Sequence, residues 1–474
     1  MIEKESAAVL ERIAVTREDV ELLAGVEFVG AERWTPCPRA SIDSRTIEPG
    51  DLFVAINGER FDGADYAKDA IAKGATAIVA ERASAGKLSG IDAPVALVED
   101  STKAYGELAN ARRKKMKADV FSLTGSVGKT SVKEMTRALL GVRRNVVATA
   151  ANNNNHIGVP LTVFEADETT EALVLEHGAN HFGEIAHTAA VAEPDFALVT
   201  NVGPSHLEFF KDERGVLKEK RALLDAAIAS GGKTLVNLDD PWLAPLAKER
   251  PNATTFGERE DADVRLTLAE LTPEGMPRVA LEYQGERFET TLPVFGLHNA
   301  KNFLAAASFA LLAGMSFEDI REGAATLSPT KGRLVVERIG DFAIVDDAYN
   351  ANPSSMRAAF ALVARMEGYR RRIAIVGDMF ELGERSEAMH RDLLAPLRDA
   401  GFDEALVLGE DMKTLADAAN DARVRWAANR EEMNDAIDAL DLRGAIVLVK
   451  GSRGMRMEEF VPALKRRRDA LSSL

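Results

Sequence analysis

The chain reads Phe121-Ser-Leu-Thr-Gly-Ser-Val-Gly-Lys-Thr-Ser131 where a short apolar run breaks into a glycine-containing loop. Such a loop at the start of a helix turns several backbone N–H groups toward one point, where the helix dipole also favours an anion. Lys129 would add a positive charge near a transferred phosphoryl group, and the Thr130 hydroxyl would ligate Mg²⁺. We therefore predict that the phosphates of a nucleoside triphosphate are bound by Thr124, Gly125, Ser126, Val127, Gly128, Lys129, Thr130 and Ser131.

The loop departs from the general pattern G-x-x-x-x-G-K-[ST]. Leu123 stands at the position of the first glycine, and Thr124-Gly125 open the loop instead. This departure favours a particular subclass of phosphate-binding loops. The alternative is an ordinary strand-to-helix turn that contains Gly-Lys-Thr by chance.

Length and charge limit the classes of function. The 474 residues suggest about three domains at ~150 residues each. A net charge of −16 argues against non-specific binding to nucleic acid or to an anionic membrane, because both need a basic surface. Anionic substrates must then be bound by local positive groups.

The start of the chain, Met1-Ile-Glu-Lys-Glu-Ser6, shows no secretory signal, and no apolar run approaches the ~20 residues that span a bilayer. The single cysteine, Cys37, excludes an internal disulfide framework and a multi-cysteine zinc site. We expect a cytoplasmic monomer that neither inserts into a membrane nor binds nucleic acid.

The first part of the chain alternates short apolar runs with a helical stretch. The runs Asp51–Ala55, Ala75–Ala80 and Pro94–Val98 predict strands of a small α/β domain. The basic segment Asn110–Lys117 follows them. We place the first domain at residues 1–112.

The middle part repeats one arrangement, in which an apolar strand ends in polar residues. The predicted strands are Val120–Leu123, Ala172–Leu175 and Phe196–Val199. In open α/β sheets, ligands bind beyond the carboxyl ends of the strands. We therefore expect the phosphate-binding loop, Glu176 and His206 to converge.

Two further stretches of the middle part look structural. Residues Val264–Leu268 and Arg278–Tyr283 alternate at about period two, which predicts an antiparallel ribbon beside the parallel sheet. The helix after His298 is rich in alanine and leucine and suits packing. The middle domain is predicted to cover residues 113–328.

The last third starts a fresh βα series, which predicts a Rossmann-like domain of residues 329–474. Its buried parallel strands are predicted at Phe342–Val345, Ile373–Val376, Ala405–Leu408 and Ala445–Val449. The predicted fold class is therefore a three-domain α/β protein.

The motifs of the chain, taken in order from about Ser41 to Glu458, resemble those of the Mur ligases of bacterial cell-wall synthesis. The short phosphate-binding loop is typical of that family. The other matching segments are Asn152–Pro160, Glu176–Ile185, Thr200-Asn201 with His206-Leu-Glu208, Gly296–Asn302, Asp346–Pro353, Gly377–Gly383 and Lys450–Arg453. The resemblance implies an N-terminal UDP-binding domain, a central P-loop ATPase-like parallel sheet with an added antiparallel ribbon, and a C-terminal Rossmann-like domain.

Within this family, the last three segments resemble the branch that adds D-alanyl-D-alanine to UDP-N-acetylmuramoyl-tripeptide. The Asp-Tyr-Ala-His-Thr-Pro segment and the Asp-Asn-Pro-Arg motif of the branch that adds diaminopimelate or lysine are absent from the sequence. Three positions depart from the usual pattern, since Ala151, His177 and Leu297 stand where glycine, leucine and arginine are common.

The resemblance implies that ATP phosphorylates the carboxylate of the tripeptide and that the dipeptide amine attacks the acyl phosphate. Lys129 would hold the phosphates, Thr130 and Glu176 would ligate one Mg²⁺, and His206 would help to hold a second. Lys220 matches a lysine that CO₂ converts to a carbamate, an anionic ligand for the metal. The alternatives are a solvated carboxylate at Glu176, a capping or core histidine at His206 and a surface lysine at Lys220.

The resemblance also assigns binding residues to each substrate. The nucleotide would contact His298, Asn299, Asn302, Arg333 and Asp347. The central cleft for the substrate would be lined by Asn152, Asn154 and Asn155. The incoming dipeptide would meet Lys450, Ser452 and Arg453, and Tyr349, Asn350 and Asn352 would also bind substrate. The uridine diphosphate would lie at Asp43, Ser44 and Arg45, where an arginine can pair with pyrophosphate oxygens.

Two other functions remain open at this point. One is another ligase of the same superfamily, either a folylpolyglutamate synthase or the ligase that adds diaminopimelate or lysine. The other is a nucleotide-switch protein that hydrolyses ATP without ligation. The sequence does not reveal which residue stands third in the tripeptide. For the ligase, we predict a hinge near Lys331-Gly-Arg333 that lets the C-terminal domain exclude water.

Overall fold

A computed structural model of the chain describes residues 13–58 and 60–471, with side chains as far as Arg467. The expectation about Met1–Ser6 lies outside these residues. The chain forms two compact units. The first unit comprises Met1–Thr124, Arg143–Val199 and Glu219–Thr234, and the second comprises Gly125–Val142, Thr200–Lys218 and Leu235–Leu474.

The strands, in chain order, are β1 (Glu27–Val29), β2 (Ala40–Ser41), β3 (Leu52–Ala55), β4 (Ala77–Glu81), β5 (Val95–Val98), β6 (Asp119–Thr124), β7 (Val146–Ala148), β8 (Ala172–Glu176), β9 (Phe196–Val199), β10 (Lys233–Asn237), β11 (Thr254–Gly257), β12 (Val264–Leu271), β13 (Pro277–Tyr283), β14 (Glu286–Thr291), β15 (Val335–Ile339), β16 (Phe342–Asp347), β17 (Arg371–Gly377), β18 (Glu404–Leu408), β19 (Val424–Ala427) and β20 (Ala445–Lys450).

The α-helices are α1 (Arg17–Glu21), α2 (Ala67–Ala72), α3 (Ser101–Lys115), α4 (Lys129–Leu140), α5 (Gly158–Glu165), α6 (Glu184–Ala192), α7 (Leu207–Phe210), α8 (Glu213–Ala229), α9 (Ala244–Glu249), α10 (His298–Leu312), α11 (Phe317–Ala325), α12 (Pro353–Arg365), α13 (Ser386–Arg391), α14 (Leu394–Asp399), α15 (Glu410–Ala419), α16 (Arg430–Asp438) and α17 (Val461–Leu471). No helix in the described part of the chain combines the length and apolar character needed to cross a membrane.

The first unit contains the N-terminal sheet, whose strand order is β1-β5-β4-β3-β2. Strands β2 to β5 run parallel, and β1 pairs antiparallel with β5. The three predicted strands of this domain are confirmed as β3, β4 and β5. The short strands β1 and β2 escaped prediction because they offer too few residues for a periodic pattern.

The first unit also contains four parallel strands in the order β9-β6-β8-β7. In their register, Leu123 of β6 pairs with Glu176 of β8, and Thr124 pairs with Val199 of β9. The carboxyl ends of β8 and β9 therefore flank the end of β6. The predicted strands Val120–Leu123, Ala172–Leu175 and Phe196–Val199 are confirmed.

Helix α3 shares one hydrophobic core with the N-terminal sheet and with β6 and β8. Arg112, near the end of α3, is buried and donates hydrogen bonds to the carbonyls of Ile13, Pro38 and Ala166. The basic segment that the sequence suggested as a separator is thus the last part of α3, packed against the core. Arg112 can be buried there because its planar guanidinium donates to several carbonyls at once. The domain boundary at residue 112 stays a prediction.

In the second unit, β10, β11 and β12 run parallel, and β12, β13 and β14 form an antiparallel ribbon. The predicted two-stranded ribbon is confirmed and has β14 as an additional strand. Helix α10, with the predicted alanine-rich sequence, packs against α4. This packing places α10 beside the helix that follows the phosphate-binding loop.

The C-terminal sheet of the second unit has the order β15-β16-β20-β17-β18-β19. Five of its strands are parallel, and β15 pairs antiparallel with β16. The four predicted strands are confirmed as β16, β17, β18 and β20. The sheet topology places the ends of β16, β20 and β17 side by side.

Candidate functional site

The phosphate-binding loop leaves β6 at Gly125 and enters α4 at Lys129. Gly128 has a φ of +85°, and a Cβ atom there would lie 2.4 Å from Asn302 Oδ1. Only glycine fits both conditions. The Asn302 side chain can therefore lie directly against the loop backbone at Gly128.

Residues after β9 hold the loop in shape. The Val127 N–H donates to Asn201 Oδ1 at 3.0 Å, and Thr200 Oγ1 donates to the Val127 carbonyl at 2.7 Å. The hydroxyl of Ser126 donates to the Gly203 carbonyl at 3.0 Å. Thr200 and Asn201 are therefore site residues that our assignment missed, although the motif Thr200-Asn201 was the signal for them.

The functional side chains of α4 lie at its first turn. Lys129 Nζ donates to the Gly125 carbonyl at 2.8 Å. The buried Thr130 Oγ1 accepts from Arg333 Nη2 at 3.0 Å. The guanidinium of Arg333 lies 4.4 Å from the centre of the Tyr349 ring. Because the first N–H groups of a helix have no intrahelical acceptor, this turn offers donors to an anion.

Glu176 ends β8 and is only 2% exposed. Its Oε1 accepts from Asn154 Nδ2 at 2.9 Å. Its Oε2 is buried and has no hydrogen-bond partner among the described residues. A buried carboxylate oxygen without a donor is costly, and a cation would satisfy it.

Asn152 and Asn155, the other two asparagines predicted to line the central cleft, do not contact Glu176 in the way that Asn154 does. Asn155 Oδ1 accepts from the N–H groups of Ile157 and Gly158 and so shapes the start of α5. Asn152 is exposed, and its carbonyl accepts from the Asn154 N–H at 2.7 Å. Of the three predicted cleft residues, Asn154 is the one that touches Glu176.

His206 follows β9 and has a left-handed backbone, with a φ of +52°. Its Nδ1 lies 2.6 Å from Glu381 Oε2. The ring of Phe210 meets the imidazole edge-on, with ring centres 6.3 Å apart. Glu381 was part of a quoted motif, but no role was assigned to it from the sequence.

Lys220 lies on α8 and is 2% exposed, whereas Lys218 on the same helix is exposed. The alternative of a surface lysine therefore applies to Lys218 alone. Glu176 and Lys220 belong to the first compact unit, and Thr130 and His206 to the second. A magnesium site shared by these four residues stays a prediction.

A cavity of about 220 Å³ lies beside α4 in the second unit. Asn299, a predicted nucleotide residue, lines it, and Asn299 Oδ1 accepts from Asn302 Nδ2 at 2.8 Å. Burial, aided by the charge of Lys450, lowers the pKa of His298 to about 4, so this ring is neutral at pH 7. Further lining residues that the sequence did not indicate include Glu134, Phe295, Thr326 and Pro329.

The predicted nucleotide-binding residue Asp347 lies at the end of β16 and pairs with Lys450 of β20. Their oxygen and nitrogen are 2.6 Å apart, and both side chains are nearly buried. Burial raises the pKa of Asp347, and the lysine opposes this. Lys450 also donates to the Asn350 carbonyl at 2.9 Å, so it fixes the turn after β16.

The remaining substrate-binding residues predicted in this part of the chain surround that turn. The guanidinium of Arg453 lies 5.6 Å from the Tyr349 ring centre and pairs with Glu458 at 2.8 Å. Asn352 caps α12 and also lines a small cavity with Ser126 of the phosphate-binding loop. Ser452 is buried, Tyr349 is half-buried and Asn350 is exposed.

The predicted uridine diphosphate residues lie in the first unit. The Arg45 side chain is 84% exposed and pairs with Asp43 at 2.7 Å. The Ser44 carbonyl accepts from Lys73 Nζ at 3.0 Å. The three residues thus form an exposed turn in which Asp43 neutralises Arg45.

Three protein-family models match the chain. The model described as Mur ligase family, catalytic domain, matches residues 40–113. The Mur ligase middle domain matches residues 123–310, and the Mur ligase glutamate ligase domain matches residues 332–453.

Individual proteins are similar over almost the whole chain. UDP-N-acetylmuramoyl-tripeptide–D-alanyl-D-alanine ligase of Escherichia coli (strain K12) is 36% identical over 465 residues, which cover 96% of this chain and 99% of that protein. A crystal structure of MurF from Acinetobacter baumannii has a TM-score of 0.86 at 30% identity, covering 96% of this chain and 99% of the other. MurF ligase from Thermotoga maritima, solved in complex with ADP, has a TM-score of 0.79 at 31% identity, covering 91% and 98%.

Two ligases of other specificity share the fold alone. The structure of UDP-N-acetylmuramoyl-L-alanyl-D-glutamate–2,6-diaminopimelate ligase has a TM-score of 0.56 at 15% identity. The folylpolyglutamate synthase of Mycobacterium tuberculosis has a TM-score of 0.60 at 19% identity.

Proposed function

The chain belongs to the Mur ligase family, and we propose from this premise that it joins D-alanyl-D-alanine to UDP-N-acetylmuramoyl-tripeptide with the use of ATP. The observation that carries the proposal is the 36% identity to the Escherichia coli ligase of that name over 96% of this chain. The ligases that add diaminopimelate or act on folate reach only 15% and 19%. The product is the UDP-muramoyl-pentapeptide, an amide formed in peptidoglycan synthesis.

The phosphate-binding loop and the first turn of α4 bind the phosphates of ATP in this proposal. Lys129 moves from the Gly125 carbonyl to a phosphate oxygen, which is the stronger acceptor because it is charged. Arg333, already at Thr130, adds a second cation at the same turn. The neutral His298 and the cavity beside α4 suit the adenine base.

The residues fit a magnesium site by their chemistry. Glu176 offers a buried oxygen without a donor, and Thr130 offers a hydroxyl. Mg²⁺ takes few protein ligands and keeps several waters and phosphate oxygens, so a dense cluster of carboxylates is unnecessary. When bound, Mg²⁺ neutralises phosphate charge, which lets the substrate carboxylate approach. His206 and a carbamylated Lys220 would hold a second ion.

The reaction proceeds in two steps, phosphorylation of the tripeptide carboxylate and formation of the amide. A carboxylate oxygen of the tripeptide attacks the γ-phosphorus of ATP, giving an acyl phosphate and ADP. The neutral amine of the dipeptide then attacks the acyl carbon to give a tetrahedral intermediate. This intermediate breaks its bond to the phosphate oxygen, and the departing inorganic phosphate takes up the proton that the nitrogen loses. Tyr349, Arg453 and the capped start of α12 at Asn352 supply the donors that hold the dipeptide near the loop.

The nucleotide end of the tripeptide substrate binds to the first unit. Arg45 exchanges its contact with Asp43 for the pyrophosphate, which carries more charge and accepts two parallel hydrogen bonds. We further propose that the protein acts in the cytoplasm, because both substrates and ATP are small polar molecules of that compartment, and that it acts there as a monomer.

A coupled assay for phosphate release tests the function. The chain is incubated with ATP, Mg²⁺, the UDP-muramoyl-tripeptide and D-alanyl-D-alanine, and each substrate is omitted in turn. We expect release only when both substrates are present, with a product of pentapeptide mass. Release with ATP alone would instead identify a nucleotide switch, and release with diaminopimelate or glutamate another ligase. A panel of tripeptides then identifies the third residue.

A further inference from the structure

In the second unit, the chain segment before β15 is tied to the turn after β16. The Tyr349 N–H of the turn donates to the Gly332 carbonyl of the segment at 3.0 Å. Gly332 has a φ of +70°, and a Cβ atom there would lie 3.3 Å from the Tyr349 Cβ atom. Because the two backbones meet at this point, the side chains of Arg333 and Tyr349 start from fixed neighbouring positions.

The Arg333 guanidinium has few polar partners. Its Nη2 donates to Thr130 Oγ1 at 3.0 Å, and its Nε is buried without a hydrogen-bond partner among the described residues. The charge of Asp347 attracts Arg333. The oxygens of Asp347, however, already pair with Lys450 and accept from the Leu334 N–H. A single neutral hydroxyl holds a long cationic side chain less firmly than a carboxylate does, so the position of the guanidinium depends on a further contact.

That contact is the aromatic ring of Tyr349, which is half-buried. The guanidinium carbon of Arg333 lies over the ring, 4.4 Å from its centre. The face of an aromatic ring attracts a cation within about 6 Å, and the attraction is stronger where water is excluded. A planar guanidinium can also stack on such a face. The ring therefore stabilises a group whose Nε obtains no hydrogen bond.

The ring and the hydroxyl of Tyr349 can be considered separately. The proposed function assigns the hydroxyl to the dipeptide, whereas the ring contacts the arginine that reaches Thr130. Arg453 also lies over this ring, at 5.6 Å from its centre, and pairs with Glu458 at 2.8 Å. Because Arg453 has a carboxylate partner of its own, its position depends less on the ring.

We propose that Tyr349 is a positioning residue for nucleotide binding: its ring holds the guanidinium of Arg333 at the first turn of α4, where the phosphates of ATP bind. The inference rests on the proposed function, in which this turn binds those phosphates. It gives Tyr349 a role toward the nucleotide in addition to its role toward the dipeptide. A cation that is already held in place loses less side-chain freedom when the nucleotide binds, so affinity is higher.

The test is a double-mutant cycle on the affinity for ADP, measured by calorimetry in the presence of Mg²⁺. Y349L removes the aromatic face and keeps an apolar side chain, whereas Y349F removes only the hydroxyl. Y349L is also combined with R333A and, as the matched control, with R453A. Ligation is not the readout, because the hydroxyl of Tyr349 is assigned to the dipeptide. Thermal unfolding confirms that each variant is folded.

We expect Y349L to bind ADP about fivefold or more weakly than the wild type, and Y349F to stay within about twofold of it, because both Tyr and Phe rings attract a cation. In the R333A background, Y349L should cause no further loss, since the group that the ring positions is gone. In the R453A background, Y349L should keep its full effect.

Three results would overturn the inference: wild-type ADP affinity in Y349L, equal weakening in Y349F and Y349L, or the same loss from Y349L with and without Arg333. The last would show that the ring supports the fold of the segment and does not act through the arginine. A wild-type chain that binds ADP but forms no amide would overturn the proposed function instead, so the two failures are distinguishable.

Discussion

Two neighbouring residues, Glu176 and His177, show how a candidate ligand differs from a structural side chain. Both are buried at the end of β8. His177 satisfies both ring nitrogens, with Thr188 Oγ1 at 2.9 Å and Ser122 Oγ at 3.0 Å, whereas Glu176 Oε2 has no partner among the described residues. The sequence predicts the apolar strand before them, but it contains no signal for this difference in hydrogen bonding.

Lys220 provides the first residue-scale prediction. We expect K220A to lose ligase activity by two orders of magnitude or more, because a carbamate at this buried position would be an anionic metal ligand. K218A, on the exposed side of α8, should keep it. After incubation with ¹³C-bicarbonate, a carbamate resonance should appear in the wild type and in K218A and be absent from K220A. Full activity of K220A at every bicarbonate concentration would exclude the carbamate.

His177 makes stability depend on pH. Burial lowers its pKa to about 3, from the ordinary value of about 6.5. Between these values the unfolded chain binds a proton that the folded chain does not, so stability falls as pH falls below about 6.5, by about 1.4 kcal/mol per pH unit. H177L should remove this contribution.

The measurement is calorimetric unfolding at about pH 7.5 and about pH 5. At the higher pH, H177L should be less stable by about 1–3 kcal/mol, because the buried hydroxyls of Ser122 and Thr188 lose the ring nitrogens with which they form hydrogen bonds. Between the two pH values it should lose about 2 kcal/mol less than the wild type does. H187Q, at an exposed position, should retain the wild-type dependence. Equal pH dependence in H177L and the wild type would contradict the assignment.

At the scale of elements, burial explains which strands the sequence predicts. Strands buried on both faces, such as β6, β8 and β20, are continuous apolar runs and were predicted. Edge strands such as β7 and β15 are largely half-buried or exposed, so their sequences resemble loops. Helix α3 contains the predicted domain boundary at residue 112. Its basic last part resembles an exposed linker in the sequence, whereas the structure buries Arg112 and Arg113 there and satisfies them with hydrogen bonds.

The phosphate-binding loop gives a prediction at this scale. G128A introduces a Cβ atom at 2.4 Å from Asn302 Oδ1 on a backbone with a φ of +85°. We expect ADP binding, measured by calorimetry, to weaken tenfold or more, because the loop must move to relieve the clash. G231A is the matched control, since Gly231 has a φ of +80° and nothing within 4 Å of its Cβ position. If both variants bind ADP as the wild type does, the shape of the loop is not limiting.

At the scale of the whole molecule, the site depends on pairs that are distant in sequence. Arg333 meets Thr130, and Glu381 meets His206. Sheet topology predicts that residues at the ends of neighbouring strands converge, and this placed Glu176 beside the end of β6. Sheet topology does not predict the contacts of Arg333 and Glu381, because these contacts depend on the path of the chain after residue 328 and not on pairing between neighbouring strands. The resemblance to known motifs indicated Arg333 and His206 as candidate site residues, and the structure shows which side chains they contact.

The linking segment around Arg333 therefore yields the last prediction. The Arg333 N–H donates to the Thr330 carbonyl at 2.9 Å, the Leu334 N–H to Asp347 Oδ1 at 3.2 Å, and the Tyr349 N–H to the Gly332 carbonyl at 3.0 Å. If nucleotide binding at Thr130 tightens the contact with Arg333, ADP should slow hydrogen exchange of these three amides.

Mass spectrometry of deuterium uptake measures this exchange with and without ADP. In R333A the ADP-dependent slowing should disappear, because the side chain that joins the phosphate-binding loop to the segment is gone. R338A, at an exposed position on β15, should behave like the wild type. If ADP still slows the exchange of these amides in R333A, the nucleotide affects the segment by a route other than the Arg333–Thr130 contact. That contact would then not couple the predicted hinge near Lys331 to the phosphate-binding loop.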